Sequence, residues 1–246
     1  MNPIWEESFA IATYHTDPFG NLKIASLFEL FQDAASRDAA RKGFGYYNLV
    51  EKGIFWVLIR VEAEIQRMPA WEEEITFRTW PKDMAGIVAF RDFEILSKTG
   101  KTLISGTSSW SQVNLKTRRP MRIDLVVDNN TLPDKHAMEK RAEKIVNPAD
   151  LLWHDPLQVR SSHIDVNWHV NNTQYLDWII NELPIEWIKD KTLARIGINF
   201  LAEGKLNDIV SVGLSHSSEL EWSACVRRDG NNGDLCRVKL TFAERN

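Results

Sequence analysis

The sequence predicts an α+β protein made of two copies of one unit, each a long helix followed by a meander of antiparallel strands. Three observations carry this. Residues 14–35, YHTDPFGNLKIASLFELFQDAA, can be laid without a gap over residues 162–183, SHIDVNWHVNNTQYLDWIINEL, so that Asp17 meets Asp165 and Asn21 meets His169. Each copy then enters an amphipathic helical pattern: Leu27, Phe28, Leu30 and Phe31 in the first, Tyr175, Leu176, Trp178 and Ile179 in the second. Each helix is followed by stretches that alternate apolar and polar residues or are rich in β-branched types.

Taken in order, the first half offers WVLIRVEAEI, EEEITFRTWP, VAFRDFEIL and TLISGTSSWSQVN as strands, separated by the turn-forming MPAW, KDMAG and SKTGK. The second half echoes them with ARIGINFL, DIVSVGLSHS, LEWSACVRR and LCRVKLTFAE, where DGNNGD supplies a hairpin turn. A helix on one face of an antiparallel sheet is an α+β unit, and two such units can pair edge to edge into one sheet. Between the halves, residues 124–157 are polar, charged and punctuated by proline, which predicts a linker. The expected domains are therefore residues 1–123 and 158–246.

Composition bounds the function. A chain of 246 residues that is 43% hydrophobic can bury a substantial core. No run of about 18 uncharged apolar residues is present to span a membrane, and MNPIWEESFA lacks the basic-then-apolar order of a signal peptide. A cytoplasmic protein is expected. Its net charge of −4 argues against general nucleic-acid binding. Cys225 and Cys236 flank RRDGNNGD and could face each other across a hairpin, but a reducing compartment predicts free thiols.

The segment HIDVNWHVNN, residues 163–172, is the most polar feature of the repeat. It admits three readings. Asn171, Asn172 or Thr173 could cap the following helix. His163, Asp165 and His169 could converge on a metal, although their spacing is irregular and the cysteines are distant in sequence. The third reading is catalysis: a histidine before a helix N-terminus, with a carboxylate or amide nearby, holds the parts needed for acyl transfer to water. The repeat favours chemistry, because Phe19 and Asn21 stand in the first copy where Asn167 and His169 stand in the second.

SHIDVNWHVNNTQYLDWI closely resembles the signature of the acyl-acyl carrier protein thioesterases, the plant-type enzymes and their bacterial relatives. FWVLIRVEAEIQRMPAWEEEITFRTWP, WSQVNLKTRRPMRI and INFLAEGKLNDIVSV resemble further segments of that family, in the right order over nearly the whole chain. The resemblance implies two hotdog domains in tandem and hydrolysis of the thioester that joins a fatty acyl chain to acyl carrier protein. It implies catalytic positions at Asp165, Asn167, His169 and Glu203, with no metal or cofactor. One departure stands out: plant members follow the glutamate with a cysteine, whereas here Glu203 is followed by Gly204. That excludes a covalent acyl-enzyme through such a thiol and leaves direct attack by water, with Glu203 and His169 sharing the role of base. Asn167 would position the water or carbonyl, and Asp165 would fix the loop.

Taken without the family, Glu203 reads as a solvated residue at a strand end. Lys116, Arg118, Arg119 and Arg122 form a dense basic run that is either a solvated edge or a guide for an acidic acyl carrier protein. Phe28, Phe31 and Trp56 are candidates to line an acyl tunnel, with core packing the simpler role for each. Three rivals remain at this stage: an acyl-CoA thioesterase, a non-catalytic acyl-binding hotdog protein, and a hotdog dehydratase, which the asparagine-rich motif disfavours. A homodimer is left open.

Overall fold

The computed structural model describes residues 2–123, 131–230 and 233–245. The chain divides into two compact units, Met1–Glu143 and Lys144–Asn246. The division falls inside the segment expected to be a linker, of which residues 124–130 lie outside the described residues.

The first unit runs β1 (Trp5–Ala10), α1 (Ile24–Arg41), α2 (Tyr46–Val50), β2 (Ile54–Ile65), β3 (Glu74–Ala85), β4 (Val88–Ser97), β5 (Thr102–Asn114) and the short β6 (Pro120–Met121). Its antiparallel strands are ordered β1-β3-β4-β5-β2, with β6 folded back on β5. The expected turn KDMAG proves narrower. Met84 pairs with Ala89 and Ala85 with Val88, so only Gly86 and Ile87 turn the chain, and Gly86 supplies the positive φ of 64°.

The eighteen-residue α1 buries Leu27, Phe28, Phe31, Ala34 and Ala35. Phe31 stacks on Phe93 of β4 at 4.3 Å and meets Phe77 of β3 edge-on at 5.8 Å. The ring can lie this close to the sheet because Gly106 of β5 has no side chain; a Cβ there would sit 2.4 Å from Phe31. Further along α1 the fully buried Asp38 binds Arg91 at 2.8 Å, Lys42 at 2.9 Å and Arg41 at 2.8 Å, so one carboxylate serves three cations.

In the second unit β7 (Leu152–Trp153), β8 (Leu157–Gln158), α3 (Gln174–Glu182) and α4 (Ile185–Asp190) precede β9 (Lys191–Phe200), β10 (Ile209–Ser218), β11 (Glu221–Arg228) and β12 (Gly233–Glu244). The strand order β9-β12-β11-β10, with β7 and β8 beside β10, repeats the order of the first unit. The expected long helix is cut to nine residues. Pro184 explains this: it offers no N–H, and the residue before it, Leu183, is driven to an extended ψ of 141°.

The segment between the halves is tied down. The backbone of Lys135 and Met138 accepts hydrogen bonds from Trp80 Nε1 and Lys82 Nζ, while the Ala137 and Glu143 N–H groups donate to Asp92 and Glu62. On the other side of the division, the Ile145 N–H donates to Asn199 Oδ1 at 2.7 Å. Among the described residues no helix is long and apolar enough to cross a membrane.

Candidate active site

The polar segment of the second unit is a tight loop closed by its own backbone. The Asp165 N–H donates to the His169 carbonyl at 2.9 Å, the Trp168 N–H to the Asp165 carbonyl at 3.1 Å, and the Asn171 N–H to the His163 carbonyl at 2.8 Å. Asp165 works inward: its Oδ1 accepts the Asn167 N–H at 2.8 Å, and its Oδ2 accepts the Asn167 side-chain amide at 3.4 Å. An aspartate two residues before an N–H it can reach is the usual way to lock such a turn. At the loop's exit, Asn171 Oδ1 accepts from the Thr173 N–H and hydroxyl, each at 3.1 Å. Thr173 is the N-cap, but only through its backbone.

The first unit builds the same loop. The Asp17 N–H donates to Asn21, Gly20 to Asp17, and Lys23 to His15, at 2.8, 3.1 and 2.8 Å. The match extends outside the repeat, since Leu22 donates to Pro69 as Val170 donates to Gly204. That register sets Met68 opposite Glu203 and Asn21 opposite His169. The backbone is repeated, as are His15/His163 and Asp17/Asp165, whereas His169 and Glu203 have no titratable counterpart.

His169 Nε2 lies 3.2 Å from Glu203 Oε2, bringing together residues that sequence separates by two helices and a strand. The side chains keep 20% and 38% of their exposure, so the pair is both packed and open to water. Glu203 is held through its backbone from three directions. The Gly204 N–H donates to the Tyr175 hydroxyl at 3.0 Å, the Gly204 carbonyl accepts from Val170 at 2.9 Å, and the Glu203 carbonyl accepts from Arg228 Nη2 at 2.5 Å. Arg228 is itself fixed by Asp208 at 2.8 Å. Burial pushes the Tyr175 hydroxyl well above the usual phenol range, so it stays a neutral hydrogen-bonding group.

Gly204 has no room for a side chain. A Cβ would stand 2.8 Å from Val170 Cγ2 and 2.9 Å from the Tyr175 hydroxyl. Tyr175, Val170 and Arg228 are parts of the site that sequence reasoning missed. Tyr175 read simply as one apolar position on the helix, and nothing in ACVRR marks Arg228 as a brace for a loop 25 residues earlier.

The structure thus pairs His169 with Glu203 and Asp165 with Asn167. His163, the third candidate for a metal, turns away: its Nδ1 accepts the Arg160 N–H at 3.1 Å and its ring meets Trp178 at 5.2 Å. Burial, then the charge of Arg160, lowers its pKa, as fits a neutral acceptor. Among the described residues no three His, Cys, Asp or Glu side chains are grouped to hold a metal ion. Cys225 and Cys236 are free, fully buried and on neighbouring strands. Burial pushes the Cys225 thiol up to about 12.

In the first unit Phe28 and Phe31 are buried, and Trp56 Nε1 donates to the Phe44 carbonyl at 3.0 Å. Lys116, Arg118 and Arg119 stand exposed on the β5–β6 hairpin with Arg122 just beyond, and Arg118 lies over the Phe55 ring at 4.7 Å.

Residues 3–128 match the family model of the acyl-ACP thioesterase N-terminal domain, and residues 146–243 that of the C-terminal domain. Among curated relatives, a chloroplastic acyl-[acyl-carrier-protein] hydrolase of Cuphea viscosissima is 26% identical over 82% of this chain. A chloroplastic oleoyl-acyl carrier protein thioesterase of Arabidopsis thaliana is 26% identical over 98% of it. The chain spans 52% and 70% of the lengths of these two relatives. Among solved structures, an acyl-ACP thioesterase from Bacteroides thetaiotaomicron has a TM-score of 0.90 at 28% identity, covering 98% of each chain. A 12:0-ACP thioesterase from Umbellularia californica shares the fold, with a TM-score of 0.87 at 21% identity over 100% of this chain and 99% of the other.

Proposed function

This chain belongs to the acyl-ACP thioesterase family, and on that premise we propose that it hydrolyses fatty acyl-acyl carrier protein to free fatty acid and holo carrier, in a pair of tandem hotdog domains. The observation that carries the reading is the contact of His169 Nε2 with Glu203 Oε2 at 3.2 Å, beside a loop locked by Asp165. Water loses a proton to this pair as its oxygen bonds to the thioester carbonyl carbon. The tetrahedral adduct collapses, the C–S bond breaks, and the proton passes to the departing thiolate. Asn167 positions the water or the carbonyl, and Asp165 holds Asn167. No thiol takes part, since Gly204 leaves no space for one and both cysteines are buried.

Only the second unit carries chemistry in this scheme, because Asn21 and Met68 stand where His169 and Glu203 would be needed. The first unit takes the acyl chain, with Phe28, Phe31 and Trp56 in its lining, and the basic hairpin Lys116 to Arg122 guides the acidic carrier. The test compares variants on acyl-acyl carrier protein and on the matching acyl-CoA. His169→Ala and Asn167→Ala should each lower turnover by about 10²-fold, the usual scale for a general base or a positioned polar group. Asn21→Ala should leave it near wild type. A folded His169→Ala enzyme with near-normal turnover sinks the assignment, and a clear preference for acyl-CoA replaces the carrier.

A further inference from the structure

Trp168 sits between Asn167 and His169 with a φ of 62°, in the left-handed region that a bulky side chain disfavours. The matching position of the first unit is Gly20, at a φ of 78°, where the same turn is made without strain. The indole is 76% exposed, and Val166, two residues earlier, is 80% exposed. Across the His169–Glu203 contact, Leu201 and Leu206 are 48% and 41% exposed. Nothing in the fold of this unit explains a large aromatic here: it fills no core, and its backbone would be better served by glycine.

We propose that Trp168 anchors an apolar rim around the reaction centre, with Val166, Leu201 and Leu206, on which the acyl carrier protein itself docks. This deepens the proposed function and rests on it. A thioester whose carbonyl lies at the His169–Glu203 pair carries its arm outward past these residues, so the carrier's surface covers the rim from above. The two loops that carry these four residues are joined by the Val170 N–H to Gly204 carbonyl hydrogen bond and by the His169–Glu203 contact, and tryptophan is the residue type that most often dominates a protein contact. Arg160 and Lys205, both exposed, stand three residues before His163 and two after Glu203. They supply the positive charge that an acidic carrier needs at the edge of an apolar contact.

The test is Trp168→Gly, which suits the backbone and keeps the fold. Its thermal midpoint should equal or exceed that of the wild type. For acyl-acyl carrier protein, KM should rise about tenfold or more with kcat nearly unchanged, and hydrolysis of the same acyl group on coenzyme A should stay within about twofold. Calorimetric titration with holo acyl carrier protein reads the rim without the reaction, and binding should weaken by a similar factor. Unchanged KM and unchanged carrier binding in the variant overturn the proposal. An equal loss on acyl-CoA also overturns it, because the indole then serves the arm and not the carrier. If the wild type binds the carrier through Trp168 and releases no fatty acid, the rim stands and the hydrolytic reading fails.

Discussion

Gly204→Ala adds one methyl group at the point where the fold has least space for it. The new carbon would meet Val170 Cγ2 at 2.8 Å and the Tyr175 hydroxyl at 2.9 Å. Both neighbours are nearly inaccessible, at 4% and 2%, so neither can swing into solvent. Overpacking of this kind costs about 1–3 kcal/mol. If the 203–204 backbone moves to relieve it, the Gly204 N–H leaves the Tyr175 hydroxyl, and an unsatisfied buried donor costs about 1–3 kcal/mol more. For a chain of this size each kcal/mol shifts the melting temperature by about 2–4 °C, so scanning calorimetry should show a loss of about 2–12 °C from overpacking alone and about 4–24 °C if the hydrogen bond is also lost. Turnover should fall further than stability suggests, because Glu203 moves with the peptide, and a misplacement of about 1 Å in a reacting group can cost about 10²-fold. Tyr175→Phe removes the hydroxyl from both the clash and the hydrogen bond, so the double variant should lose less than the sum of the two single losses. A Gly204→Ala enzyme with wild-type melting and wild-type turnover refutes the idea that this tight packing holds the glutamate in place.

Three other predictions follow from separate parts of the molecule. Cys225→Ser with Cys236→Ser should keep most of the activity, and iodoacetamide should leave the native enzyme active, because burial raises both thiol pKa values and hides them; acyl trapped on either sulfur, seen by mass spectrometry, contradicts this. Reversing Lys116 and Arg119 to glutamate should raise KM for acyl-acyl carrier protein and flatten its dependence on salt, with little change on acyl-CoA; equal effects on both substrates remove the hairpin from carrier recognition. Burial pushes the Asp38 carboxyl up, but Arg91 and Lys42 outweigh it and hold the pKa below its ordinary value. A depressed carboxyl stabilises the fold above its unfolded pKa and loses that contribution as pH falls through about 4 and below. Arg91→Met leaves Asp38 its contacts with Arg41 and Lys42, so it should destabilise the protein by about 1.5–3 kcal/mol at neutral pH, the scale of a hydrogen bond to a charged group, and flatten this acid limb, as read by urea titration at several pH values.

The repeat was legible because Asp17 and Asp165 each perform the same local task, accepting N–H groups two residues on, and a local task leaves a local pattern. The helix of the first unit was legible from its apolar spacing. That of the second was overextended because INELPIEW keeps a helical rhythm across Pro184, whose missing N–H ends α3 regardless. β1 escaped notice because WEESFA has no strictly buried face and owes its place to pairing with β3. The partnership of His169 with Glu203 was reachable only through family resemblance, since no residue pattern links positions so far apart. Tyr175, Val170 and Arg228 were illegible for a related reason: they brace the backbone of residues 203 and 204, and a contact to backbone atoms leaves no mark on the type of the residue it holds.

The central claim is that the His169–Glu203 pair delivers water directly to the thioester carbonyl. It is tested most directly by a single turnover of acyl-acyl carrier protein in ¹⁸O-labelled water, with mass spectrometry of both the released fatty acid and the peptide containing Glu203. Direct attack places one ¹⁸O in the fatty acid carboxyl and none in Glu203. Unlabelled fatty acid together with ¹⁸O in the Glu203 carboxylate would mean that the glutamate itself attacks the thioester and water attacks the glutamyl carbonyl of the resulting anhydride, and the account would be wrong.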